Sequence, residues 1–345
     1  MPNMIQTIKT KILNAAQTIK KNTSLLINIL SILAFIIPFL ILYSLYPESY
    51  EATWKGRTYY LFFIWLIFLE VILSWEKIQV NKLKKLKSIR TMAFIIFLLL
   101  PTTYVVAANY YGLNDTIMEL AIKNNVPRAN EIPLSMEYLI FTIVFALTIL
   151  LAHGLQGLMT HSISVIFLGI IGSIYTVDSI YPYGSFTPFQ ILVPTTATFA
   201  ASVLNLMGYQ TEWIGQLAGT PVLRVWNQKG EAEAGIAWSC SGIDSLLLYS
   251  VTLLLFLKNS GISWRQRTIY FIIGAIVTYF INIMRIVTIF ILGVNYGGMD
   301  SPQVTQFHNY YGALYSITWI IAYPLIIIGT QALWRKIKSR RVQES

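Results

Sequence analysis

Nine stretches of this chain are apolar for long enough to be read as membrane helices, and no other feature limits its fold as much. They run over about 24–46, 59–75, 92–110, 135–153, 161–180, 186–208, 238–257, 268–294 and 308–334. A full crossing of the hydrocarbon core takes about 20 residues, with a range of roughly 17–25. Composition agrees, with 55% hydrophobic and 12% charged residues against roughly 25% charged in a soluble domain. An ordinary soluble protein and a disordered chain are both excluded on that ground. The first apolar run is too long for a signal peptide and is followed by no small-residue cleavage site. One cysteine, Cys240, permits no intrachain disulfide and no multi-cysteine metal centre. Three histidines, His153, His161 and His308, leave little material for a metal cluster. No metal and no cofactor is therefore expected.

Lys and Arg placement orients the chain. The segments 1–23, 76–90, 258–267 and 335–345 carry four, six, three and five basic residues, 18 of the 25, with only 2 of the 15 acids. All four are placed in the cytoplasm. The same rule accounts for the net charge of +10 without a nucleic-acid partner. Two apolar segments separate the first pair of anchors and two the last pair, as two cytoplasmic ends require. Five lie between the second and third, so one of them does not span. The segment 186–208, with Pro188, Pro194 and a Thr-rich stretch (Thr195, Thr196, Thr198), is the best candidate for a re-entrant or interfacial piece. The expected fold is all-α: a polytopic transmembrane helical bundle of eight spans plus one partial segment. The loop 209–237 forms a short extracytoplasmic cap, with a possible hairpin turning at Gly230. The expected organisation is a cytoplasmic basic N-terminus (1–23), N-terminal membrane helices (24–185), a catalytic membrane region (186–334) and a cytoplasmic basic tail (335–345).

Ionisable or reactive groups in membrane helices are rare because hydrocarbon penalises them. Those within or at the ends of spans are Glu70, Asp178, Cys240, Asp244, Arg285 and His308. Glu70 is read as reaching toward the Lys-rich loop and Asp178 as ending its helix. His153 and His161 flank a Gly-containing connection without metal-ligand spacing. The other four converge. Cys240 and His308 begin helices that start outside. Arg285 lies 17 residues into a helix that starts inside, about 26 Å up at 1.5 Å per residue. Three consecutive helices thus bring a thiol, a guanidinium and an imidazole to one depth. Ser241 followed by Asp244 suits a helix start, where a thiol is favoured as the thiolate nucleophile. Asn282 shares a helix face with Arg285 and could orient the guanidinium or donate to an oxyanion. Taken singly, each has a plainer reading: an inert small hydrophobe, a snorkelling Arg, an interfacial His.

In sequence, Ser239-Cys240-Ser241-Gly242-Ile243, Asn282-x-x-Arg285 and His308-x-x-x-Gly312 resemble the exosortase/archaeosortase family over roughly 190–320. Leu204-Asn205-Leu206-Met207-Gly208 ahead of the polar loop is also similar. The resemblance implies a membrane-embedded cysteine transpeptidase, with Cys240 as nucleophile and Arg285 and His308 as the second and third catalytic residues. Its clients would be exported proteins whose C-terminus carries a short motif, one membrane helix and a basic tail. The acceptor of the new C-terminus would often be a lipid. His308 fills a position that is Arg or His in the family, and Asp244 stands where many members carry Arg or another polar residue. A branch serving archaeal proteins with a PEFG-type motif is the implied assignment. The location implied is the plasma membrane, with the active site at the extracytoplasmic face. The competing classes are a transporter or lipid flippase, for which inverted repeats or paired broken helices would be expected, and a non-catalytic assembly protein, which would not need Cys240.

Overall fold

The computed structural model describes residues 27, 29–52, 55–73, 88–182, 186–217, 220–258 and 260–343. The basic anchors at 1–23 and 76–87 lie outside the described residues. The chain divides into two compact units, one through Ile180 and one from Tyr181. Both are helical, and the protein is an all-α polytopic bundle carrying one small sheet.

The first unit contains α1 (Ile29–Leu45), α2 (Thr58–Leu73), α3 (Ile89–Tyr110), α4 (Leu113–Lys123), α5 (Ile132–Thr160) and α6 (Ser162–Ile180). Lipid is as apolar as a leucine side chain, so shape rather than hydrophobicity holds such helices together. Here the shape comes from aromatic rings. Phe35, Phe63, Phe141 and Phe145 are fully buried, with edge-to-face contacts at 5.4 Å for Phe35–Phe145 and 5.0 Å for Phe63–Phe145. α5 breaks at Gly154, whose φ of 72° is left-handed. Arg90 donates to Leu150 O and Leu151 O, both at 2.8 Å, and so satisfies carbonyls beside the break. The lysine loop toward which Glu70 is expected to reach lies outside the described residues. The Glu70 carboxylate accepts Ile163 N, Ser164 N and Ser164 Oγ and caps the start of α6, where the helix dipole favours a negative charge. Asp178, near the end of α6, pairs with Lys55 at 2.6 Å and Arg128 at 3.0 Å. His153 stacks on His161 at 6.3 Å between centroids. No group of three or more metal-ligating side chains occurs among the described residues.

The second unit runs α7 (Thr187–Gln190), α8 (Leu192–Leu206), β1 (Gln210–Leu217), β2 (Thr220–Asn227), β3 (Gly230–Gly235), a 3-10 turn (Trp238–Ser241), α9 (Ile243–Lys258), α10 (Trp264–Asn295), α11 (Pro302–Gln306), a π turn (Phe307–Tyr311) and α12 (Gly312–Gln343). The cap is more ordered than a loop with one hairpin. Three antiparallel strands form a meander in the order β1-β2-β3. The second turn is made by Gln228 and Lys229, because Asn227 pairs with Gly230 and Asn227 Oδ1 accepts Lys229 N at 2.8 Å. Gly230 starts β3 instead of turning, and a Cβ there would sit 2.6 Å from Val294 O.

Leu223 and Val225 alternate inward from β2 and, with Ala232, pack on Ala197, Ala200 and Leu204 of α8 and Ile286, Val287 and Phe290 of α10. A second cluster joins Tyr249, Leu253 and Leu257 of α9 to Ile320, Tyr323 and Ile327 of α12. Among the described residues, five helical stretches are long and apolar enough to cross a membrane: Ile89–Tyr110, Ala129–Thr160, Ser162–Ile180, Trp264–Asn295 and Pro302–Trp334. Ile29–Leu45, Thr58–Leu73 and Leu192–Leu206 are shorter apolar helices. The segment 186–208 resolves into α7 and α8; at 15 residues, α8 is about 22 Å long.

Candidate active site

Cys240 does not begin a helix. It lies in the 3-10 turn Trp238–Ser241, and Gly242, with φ 98°, separates that turn from α9. Ser241 is not a helix cap either: its Oγ donates to Trp238 O at 2.5 Å, closing the turn on itself. Cys240 N donates to Ala237 O at 2.9 Å. Two further carbonyls of the turn are held from outside. Asn282 Nδ2 donates to Cys240 O at 2.9 Å, and Thr196 Oγ1 donates to Ser241 O at 3.2 Å while meeting Tyr279 OH at 2.7 Å. The Asn282 side chain lies against Gly242, where a Cβ would come within 3.0 Å of Nδ2. Asn282 thus holds the cysteine turn.

His308 does not begin a helix either. α11 precedes it, and the chain passes through one π turn before α12. Gly312 N donates to Phe307 O, the i→i+5 bond that defines the turn. Such bulges recur at functional sites because they re-aim a few side chains. Arg285 Nη2 donates to His308 O at 3.0 Å. α10 therefore fixes both loops with two side chains three residues apart, Asn282 on the cysteine turn and Arg285 on the histidine turn. α10 has 32 residues, about 48 Å, longer than the roughly 30 Å hydrocarbon core. Arg285 sits 21 residues beyond Trp264 in it, further along than the apolar run alone implied.

Arg285 lies within electrostatic reach of the Cys240 thiol, the Asp244 carboxylate and the His308 imidazole. It forms no salt bridge among the described residues, and its Nε is buried without a hydrogen-bond partner. No hydrogen bond joins the thiol to the imidazole among the described residues; the guanidinium is what the two share. The sequence patterns singled out neither Tyr279 nor Thr196, the latter noted only as part of a Thr-rich stretch. Nothing in the sequence separated Thr196 from Thr195 and Thr198 beside it.

The pattern that defines transmembrane exosortases matches residues 53–325, from α2 to well along α12. The chain belongs to the transmembrane exosortase family. Exosortases are, as a family, membrane transpeptidases acting on exported proteins that carry sorting signals, and this exosortase has the membrane helices such a role demands. No curated relative and no solved structure matches the chain.

Proposed function

We propose that this exosortase is a membrane-embedded cysteine transpeptidase that removes the C-terminal sorting signal of an exported client and passes the new C-terminus to an acceptor, a lipid. The observation that carries the reading is the double anchoring by α10: Asn282 on Cys240 O and Arg285 on His308 O. It brings a thiol turn and an imidazole turn to one guanidinium.

In the reaction, the Cys240 thiolate attacks the scissile carbonyl carbon, and the carbonyl oxygen takes the negative charge. Arg285 faces that oxyanion with N–H groups that no acceptor among the described residues occupies, and a fixed cation in a water-poor site acts strongly on developing charge. His308 takes the thiol proton, directly or through one water, and returns it to the leaving amine; an imidazole can both accept and donate a proton, as the two steps require. The C–N bond breaks, the C-terminal helix and basic tail leave, and a thioester remains on Cys240. An acceptor amine or hydroxyl then attacks the thioester, His308 takes its proton, and the thiolate departs. Asn282 and Ser241 are positioning residues that fix the cysteine turn.

The site is assigned to the extracytoplasmic face of the plasma membrane. In a Cys240→Ala background, a cysteine at position 215 should react with an impermeant label in intact cells and one at 262 should not. Labelling at 262 would reverse the orientation. Cys240→Ala itself should leave the fold intact and accumulate full-length client. Client processing at the wild-type rate in that variant would overturn the transpeptidase reading.

A further inference from the structure

Gly312 opens α12 with ordinary right-handed torsions, φ −62° and ψ −35°. Its backbone does not call for glycine, and alanine is much the better helix former. The space a side chain would need is taken by Arg285. A Cβ on residue 312 would lie 2.7 Å from Arg285 Nε and 3.1 Å from Arg285 Cδ. Its other close neighbour is Phe307 O at 3.0 Å, the acceptor of the π-turn bond. Buried Nε has no hydrogen-bond partner, so contact with the glycine backbone, not a hydrogen bond, fixes that edge of the guanidinium. The bond from Nη2 to His308 O fixes another. A planar fork held at two points has one orientation.

We propose that Gly312 is a positioning residue for this reaction: its missing side chain lets the Arg285 guanidinium lie flat against the π turn, with Nη1 turned to the reacting carbonyl. The inference rests on the reading of Arg285 as the oxyanion-stabilising group. A methyl group at 312 pushes the guanidinium off the turn. The charge survives, but its donors no longer point where the oxyanion forms, and the link to His308 O is strained.

The test is a cycle of Gly312→Ala and Arg285→Ala in the full-length protein. Its client-independent readout is the ratio of Cys240 alkylation rates with iodoacetate, an anion, and iodoacetamide, which is neutral. Arg285 beside the thiol favours the anion, so Gly312→Ala should lower the ratio at least threefold. In the Arg285→Ala background, where the ratio is already low, Gly312→Ala should leave it unchanged. With client, Gly312→Ala should slow adduct formation at saturating client at least tenfold while half-saturation stays within twofold, which a general loss of structure would not produce. An equal fall of the ratio in both backgrounds, or a wild-type ratio in Gly312→Ala, overturns the proposal. If Gly312→Ala does not fold, the double variant decides. Folding restored by Arg285→Ala supports the Arg–Gly conflict, and failure in both variants assigns the glycine to Phe307 O instead. Client processing that survives Cys240→Ala would sink the transpeptidase reading, while the alkylation ratio still judges Gly312.

Discussion

Two arginines, one in each unit, are surrounded in opposite ways. Arg57 is buried with every edge of its fork engaged. Nε and Nη2 meet the two oxygens of Glu137 at 2.8 and 2.9 Å, Nη1 reaches Ser49 Oγ at 3.3 Å, and the plane lies 4.5 Å from the Tyr46 ring centroid. Glu137 Oε1 also accepts Tyr60 OH at 2.9 Å. Arg285 has a single hydrogen bond, to a backbone carbonyl, a buried Nε with no partner, and no carboxylate within ion-pair distance among the described residues. A buried bidentate pair further tied by a tyrosine hydroxyl fixes structure and has little left to offer a substrate. A buried cation whose donors are spare is costly to keep, and the cost makes sense where charge will appear during a reaction.

The contrast can be broken from either side. The largest effect should come from the bidentate pair. Glu137→Ala leaves Arg57 buried and unpaired, a loss of about 3–5 kcal/mol. Unfolding in detergent should report it, while processing per folded molecule stays at the wild-type rate. A normal unfolding midpoint would mean that water takes over the site and the network is not structural. Next comes Arg285→Lys, which keeps the charge and loses the planar fork. Processing should fall at least about tenfold, roughly 1.4 kcal/mol of transition-state stabilisation, with the unfolding midpoint little changed. Near-normal processing would reduce Arg285 to a point charge. The smallest effect belongs to Asn282→Ala. It removes one hydrogen bond worth about 1 kcal/mol, so processing should slow about fivefold. Unaltered processing would show that the cysteine turn holds its shape without α10.

The same contrast explains what could be read in the sequence. Arg285 stood out because it interrupts a long apolar run, and Cys240 and His308 because each opens a short motif before one. Arg57 lies in a connection between helices and Glu137 just inside an apolar segment, 80 positions apart. Nothing local marks them as partners. The sheet was half legible. Leu223 and Val225 alternate inward in β2, but β3 reads Gly-Glu-Ala-Glu-Ala-Gly, weak in strand propensity. Its small residues answer a close approach: a Cβ on Gly293 of α10 would lie 2.9 Å from Ala232 Cβ. The π turn has no sequence signature of its own. Helical periodicity runs through Phe307–Tyr311, and only the five-residue bond to Phe307 O reveals the extra residue. The break at Gly242 was hidden too, because a glycine next to Ser241 and Asp244 reads equally well as part of a helix start.

The central claim is that Cys240 carries the client as a thioester while Arg285 and His308 act on its carbonyl and proton. Client and enzyme should be mixed in membranes, quenched in acid before the acceptor is consumed, and the enzyme's Cys240 peptide analysed by mass. The account predicts the N-terminal part of the client attached to Cys240 through a bond that hydroxylamine cleaves. That adduct should be absent in Cys240→Ala and slower to form in His308→Ala. Full processing with no adduct on Cys240, or an adduct that resists hydroxylamine, would contradict it.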